Sequence, residues 1–211
     1  MGHRALVAYE RADRTYNLHY SHWGGANLKL KHRLSEMTPF GGECHSEWAR
    51  TVQTELLNGT EPDAVAAEYA LNDGPSTDVD IRPQATGLTL RQILTEHVDY
   101  LSHEALYVVD RRYNVTAYRT LWFGLQYDSE RIETQPTVGF GAVQTVRWHN
   151  GQPVGDGYVQ GQFAGLKRVV GAMVDRGVFD EREAVEFLKT QLAAVTNGGE
   201  ELHFGAVETK H

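Results

Sequence analysis

Cysteine is almost missing from this chain of 211 residues: Cys44 is the only one. One thiol excludes an internal disulfide and any zinc knuckle built from several thiolates. Long apolar runs are missing as well. Stretches such as Ala105–Val109 fall far short of the roughly 20 residues that a membrane-spanning helix needs, so no membrane partner is expected. The amino-terminal M-G-H-R-A-L-V-A-Y-E enters a strand-like pattern at once, without an apolar core of signal-peptide length, and the expected location is the cytoplasm. Lysine is scarce: Lys29, Lys31, Lys167, Lys189 and Lys210 stand against fifteen arginines. With 28 acidic residues against 20 basic ones, the formal net charge is −8. Arginine pairs bidentately with carboxylates, and an acidic surface paired in this way stays hydrated at high salt. A GC-rich genome would favour arginine codons too. The negative balance argues against non-specific nucleic-acid binding, which depends on phosphate contacts, although Lys29, Lys31, His32 and Arg33 form a local basic cluster.

Complete catalytic signatures are also lacking. The chain has no P-loop, no G-x-G-x-x-G after a strand, no H-E-x-x-H, no G-x-S-x-G and no EF-hand spacing. His45-Ser46-Glu47 matches the H-x-E of zinc deaminases, but no cysteine follows to complete the ligand set. Gly2 follows Met1, so the nucleophile of an N-terminal-nucleophile hydrolase is absent from that position. No cofactor is indicated.

What is present is a globular pattern, with 41% hydrophobic and 23% charged residues, enough to bury a core. The pattern is organised around Tyr16–Gly25, Y-N-L-H-Y-S-H-W-G-G. Ala5–Glu10 and Thr15–Trp23 read as a β-hairpin. Period-2 alternation then puts Tyr16, Leu18, Tyr20 and His22 on one face and Asn17, His19, Ser21 and Trp23 on the other. Residues 24–43 read mostly as loop. A helix is expected from Ser46 to Leu57, and another to about Leu71, with Thr60 as its cap and Pro62 in its first turn. Residues 72–87 form the longest irregular stretch. Thr89 and Gln92 make a capping box for a third helix with an apolar stripe of Leu90, Ile93, Leu94, His97, Val98 and Leu101. Residues 105–110 and 114–123 give a second hairpin that resembles the first, as an internal duplication of hairpins 5–23 and 105–123 would. Chance convergence of strand chemistry explains the likeness equally well. A third hairpin spans residues 140–149 and 154–159 around Asn150-Gly151. A helical hairpin covers 161–196, with Phe163, Leu166, Val169, Val170 and Met173 buried on its first arm, and Phe187, Leu188, Leu192 and Val195 on its second. A short strand follows at 202–207. Strands and helices segregate, so the expected class is α+β: one domain over residues 1–211, an antiparallel sheet of hairpins packed against helices, and a C-terminal αα-hairpin.

Three clusters carry groups able to do chemistry. His19, His22 and Trp23 combine imidazoles, which bind metals or shuttle protons, with an indole that lines apolar pockets. Packing under helices with hydrogen-bonded tips is the structural alternative. In G-G-E-C-H-S-E-W, Cys44 and His45 are candidate ligand-binding groups, and Glu43 and His45 with His22 are candidate metal ligands. The alternative is a helix start with Ser46 as cap and Cys44 as a small buried residue. On the third helix, Glu96, Tyr100 and His103 align, as do Asp99 and His103, while His97 lies on the apolar stripe. Asp78-Val79-Asp80 reads as solvated charge.

The segments M-G-H-R-A-L-V-A-Y-E-R and Y-N-L-H-Y-S-H-W-G-G resemble an uncharacterised haloarchaeal family known only as a domain of unknown function. The resemblance implies a halophilic source and agrees with the scarcity of lysine. It carries no activity over to any residue. Three functional readings follow: a non-catalytic module that binds a small ligand or a protein, a metal-assisted hydrolase using the histidine-rich cluster, or a structural component of a haloarchaeal virus or other assembly. A homo-oligomer is compatible with all three.

Overall fold

In the computed structural model, which describes residues 2–42, 47–71, 76–196 and 199–206, Ala5–Glu10 forms β1. Every side chain from Ala5 to Tyr9 is buried, so this strand is covered on both faces. Tyr16–Ser21 forms β2, antiparallel to β1 with Ala5 opposite Ser21 and Glu10 opposite Tyr16. Arg11 N donates to Thr15 O (2.8 Å), and the Asp13 carboxylate accepts from the Thr15 amide and hydroxyl, which closes the hairpin.

Contacts divide the chain into two units, one running to Ile93 and including His103–Tyr118, the other comprising Leu94–Ser102 and the chain from Arg119 on. In the first unit, α1 (Glu47–Leu57) buries Ala49, Val52, Gln53 and Leu56 at helical spacing. In α2 (Pro62–Glu68) the cap position is Glu61 rather than the expected Thr60, whose hydroxyl instead donates to Glu55 (2.8 Å). β3 (Ala85–Leu88) pairs antiparallel with β2. The capping box of Thr89 and Gln92 is present, yet α3 is only Leu90–Gln92 and passes into a π turn, Ile93–His97. β4 (Ala105–Val109) runs parallel to β1, Ala5 opposite Ala105 and Tyr9 opposite Val109. The strand order is thus β3-β2-β1-β4, with β5 (Val115–Trp122) beyond β4. Residues 24–43, expected as loop, contain a 3₁₀ segment at Ala26–His32 that buries Leu28 and Leu30.

The expected third helix stops early for a local reason. In the second unit Gly139 N donates to Val98 O (3.0 Å) and Tyr100 N to Thr137 O (2.9 Å), so an extended pairing replaces the next helical turn. Asp99 accepts from the Leu101 and Ser102 amides, and Leu101, expected in the apolar stripe, is exposed. The helical spacing that would align Glu96, Tyr100 and His103 therefore does not exist.

The second unit carries the end of β5, then β6 (Gly141–Thr145), β7 (Arg147–His149) and β8 (Gln152–Val154). β7 and β8 form a two-stranded ribbon turned by Asn150 and Gly151, both at positive φ (50° and 73°) as the Asn-Gly pair favours. The extended run expected to Val159 ends sooner, because α4 (Asp156–Asp175) starts at Asp156. Arg119 explains that start: its guanidinium holds the Asp156 carboxylate through Nε (2.9 Å) and Nη2 (2.7 Å), anchoring an anion at a helix N-terminus. Gly177 ends α4 at φ 71°, with Val178 N donating to Met173 O and Gly177 N to Val174 O. Asp180 and Glu183 form a capping box for α5 (Glu181–Val195). β9 (Leu202–Phe204) pairs antiparallel with β6 to give the order β5-β6-β9. Val169 and Val195, expected in the core, are half exposed.

The architecture is α+β with a mostly antiparallel sheet and a C-terminal helical pair, β1·β4 being a parallel exception. Among the described residues, no helix is long and apolar enough to cross a membrane.

Candidate functional site

β2 carries His19, whereas His22 follows the end of the strand at Ser21, and the two histidines lie in different surroundings. His19 is fully buried, with Nδ1 2.9 Å from Asp80 O and its ring edge-on to Tyr9 (5.1 Å between centroids) and tilted against Phe40 (5.9 Å). A carbonyl only accepts, so Nδ1 carries the proton and Nε2 is a bare acceptor, buried without a partner. Burial lowers the His19 pKa to about 4, which keeps the ring neutral. Asn17, on the same face, donates through Nδ2 to Leu56 O (2.8 Å), while its Oδ1 is unpartnered. On α1, neither end of the buried Gln53 amide has a partner.

His22 and Trp23 are exposed and meet edge to face at 4.9 Å. Tyr20 Oη is 3.1 Å from His22 Nδ1, and His3 Nδ1 is 2.9 Å from Glu104. Gly25 allows a close approach here: a β-carbon on it would lie 2.9 Å from Glu104 Cβ. β2 has ended by Ser21, so Trp23 stacks on His22 rather than sharing the face of His19. Glu43, Cys44 and His45 lie outside the described residues. Among the described residues, no group of three or more His, Cys, Asp and Glu side chains is placed to hold a metal ion.

Asp78 is not the solvated charge that its sequence context implies. Its carboxylate accepts from Arg33 (3.0 Å) and the Gly42 amide (2.8 Å), and Lys29 lies at 3.5 Å. Burial opposes ionisation, but these donors outweigh it and hold the carboxyl below its ordinary range.

A second arrangement lies wholly in the second unit. There β6, the β7–β8 ribbon, α4 and α5 line a partly open cavity of about 330 Å³, within the range of small-molecule sites. Its apolar walls include Val146, Val159, Phe163, Leu166, Leu192 and Val195, with the exposed Val154 and Tyr158 also lining it. Thr145, Gln162 and Gln191 add polar side chains to this lining, and two further residues there, Gln144 and Glu200, carry buried atoms without a partner. Gln144, on β6, is 5% exposed, and its Oε1 has no hydrogen-bond partner. An unpaired buried amide is costly, so this position calls for a physical reason. Glu200 receives the Arg147 guanidinium on Oε1, a bond that lowers its pKa and keeps it ionised, while Oε2 is unpartnered. Sequence reasoning missed this site. Its one local signal is a glutamine interrupting the buried run G-A-V-Q-T, where Ala142 and Gln144 share a face.

No curated protein and no solved structure matches the chain. A model of a family of unknown function, DUF6735, matches residues 1–204, and the chain belongs to that family.

Proposed function

We propose that the chain is a non-catalytic binding module that takes a small, largely apolar molecule into the cavity of its second unit. One observation carries this reading: a cavity of about 330 Å³ with mostly apolar walls, bordered by a few polar side chains such as Gln144, Gln162 and Gln191. Small-molecule sites have this composition, mostly apolar walls with a few placed polar groups that fix orientation. The lack of a complete catalytic motif agrees with binding rather than turnover, and the low-lysine acidic composition supports work in a salt-rich cytoplasm.

The test is thermal unfolding in high salt with small cyclic probes, for the native chain and Val159→Trp, which fills the cavity from α4. A ligand that binds only the folded state raises the unfolding temperature by mass action. The expected outcome is a dose-dependent rise in the native chain that Val159→Trp abolishes. If no probe at millimolar concentration shifts the native chain, or if the shift is the same in Val159→Trp, the reading fails.

A further inference from the structure

The first unit holds a crevice of its own. β1 and β4 lie side by side and parallel, with Tyr9 opposite Val109. β1 leads into β2 on one side, whereas β4 leads into β5 on the other. Parallel neighbours whose chains depart to opposite sides leave their carboxyl ends uncovered, the place where open sheets bind ligands. Here α1 and the two hairpin turns border that place, around a cavity of about 390 Å³.

Most polar groups of this lining are already committed. The Tyr9 hydroxyl donates to Pro39 O, and the Thr54 hydroxyl to Arg50 O. Arg50 is paired with Glu36 (3.0 Å). The Asp110 carboxylate accepts from the Arg112 and Asn114 amides and from the Asn114 side chain. Asn17, which bonds to Leu56 of α1, lies opposite Tyr9. Strand alternation therefore sets Glu10 on the far face of β1, where its charge acts on Tyr16. Four side chains remain. Among the described residues, the exposed Arg111, Arg112 and Asn58 have no side-chain hydrogen bond or ion pair, and Arg112 meets the Asp110 charge only at longer range. Tyr113 is half-buried, yet its unbonded hydroxyl keeps accessible surface. Burial pushes that hydroxyl up to about 12, so it stays a neutral donor. Tyr113 also adopts the left-handed conformation (φ 58°), which is unusual for a bulky residue.

The uncommitted groups are thus two guanidiniums, a hydroxyl and an amide, with no free carboxylate beside them. A guanidinium presents paired N–H donors that match two oxygens of a carboxylate or a phosphate. A cation would be repelled, and a neutral molecule would leave both charges unused. We propose that this crevice is a second ligand site, where Arg111 and Arg112 hold the oxyanion of a small carboxylate or phosphate compound and Tyr113 donates a further hydrogen bond.

The experiment is an amide NMR titration of the full chain at fixed ionic strength with benzoate, phenyl phosphate and benzyl alcohol, which share one ring. The double variant Arg111→Gln with Arg112→Gln, Tyr113→Phe and Val159→Trp are titrated in parallel. Both anions are expected to give saturable shifts at Asn58 and residues 111–113 that benzyl alcohol does not give. The tighter of the two identifies the native group as carboxylate or phosphate. The double variant should bind about tenfold more weakly and Tyr113→Phe about threefold, as lost charge-assisted hydrogen bonds imply. Val159→Trp should behave as the native chain does. No saturable shift with either anion, equal shifts with benzyl alcohol, or unchanged affinity in the double variant would overturn the site. Loss of the shifts in Val159→Trp would overturn it too, by placing the anion in the second unit. The native chain alone separates the anions from the alcohol, whether or not a variant folds, and a failure here leaves the second-unit cavity untouched.

Discussion

The two units use unpaired polar groups differently. In the first, His19, Asn17 and Gln53 are 0–1% exposed and each carries an orphan atom, and the His19 ring packs against Tyr9 and Phe40. In the second, Gln144 is nearly as buried but borders about 330 Å³ of open volume. An unpaired polar group inside packed protein has only a cost, whereas a side chain that lines a cavity has room to turn towards whatever enters. Polar burial alone therefore does not mark a site; polar burial next to space does. By this criterion the histidine-rich strand that dominates the sequence is, at His19, part of a core, and an inconspicuous glutamine is the stronger functional candidate.

The largest expected effect removes the support of the cavity wall. Asp156→Ala leaves Arg119, itself 7% exposed, without its carboxylate, and should cost about 3–5 kcal/mol in denaturant unfolding. Probe binding should fall with it, because α4 begins at Asp156. A loss below about 1 kcal/mol would show that the pair behaves as a surface ion pair.

Next comes the pH response of the first unit. The folded His19 pKa of about 4 lies below the ordinary 6.5, so as pH falls the unfolded chain takes up this proton first. The stability present above about pH 6.5 is lost progressively towards pH 4, by a few kcal/mol in order of magnitude. His19→Leu should flatten that segment relative to the native chain, when unfolding free energy is measured from pH 4 to 7. Identical slopes for the two proteins would mean that His19 titrates normally and is not sealed in the core.

Smaller changes sharpen the contrast further. Asp180→Ala, which removes half of the α5 capping box, should cost about 1 kcal/mol. Gln53→Leu and Gln144→Leu each replace an amide carrying a buried orphan atom with an apolar side chain of similar size, and each should be neutral or stabilise by about 1 kcal/mol. They should differ in function alone: Gln53→Leu leaves probe binding in the cavity unchanged, and Gln144→Leu, within the lining, alters it. Altered probe binding in Gln53→Leu would break the comparison between the units.

Local signals in the sequence read through to the structure where hydrogen bonding within a few residues decides the outcome. The capping boxes at Thr89 and Asp180 and the Asn150-Gly151 turn are of this kind. Sequence periodicity failed where a distant segment competed. Val98 to Tyr100 leave the helical path because residues 137–139 offer their amides and carbonyls an extended partner. Val195 continues the apolar stripe of α5 but lines the cavity instead of filling it. The site itself was hidden for the same reason. Gln144 and Glu200 are 56 positions apart, and β9, which begins two residues after Glu200, pairs with the strand that carries Gln144. Of the residues singled out on sequence grounds, His19 proved to be interior, His22 and Trp23 form an exposed aromatic pair, and none of the three lies in the cavity lining.

The most direct test is residue-resolved amide NMR of the full chain in high salt during titration with cyclohexylmethanol. The account predicts saturable shifts at the Gln144 side-chain amide and at Val146, Val159, Leu192 and Val195, with His22 and Trp23 unmoved. Shifts centred on His22 and Trp23, or no saturable shift anywhere, would contradict it.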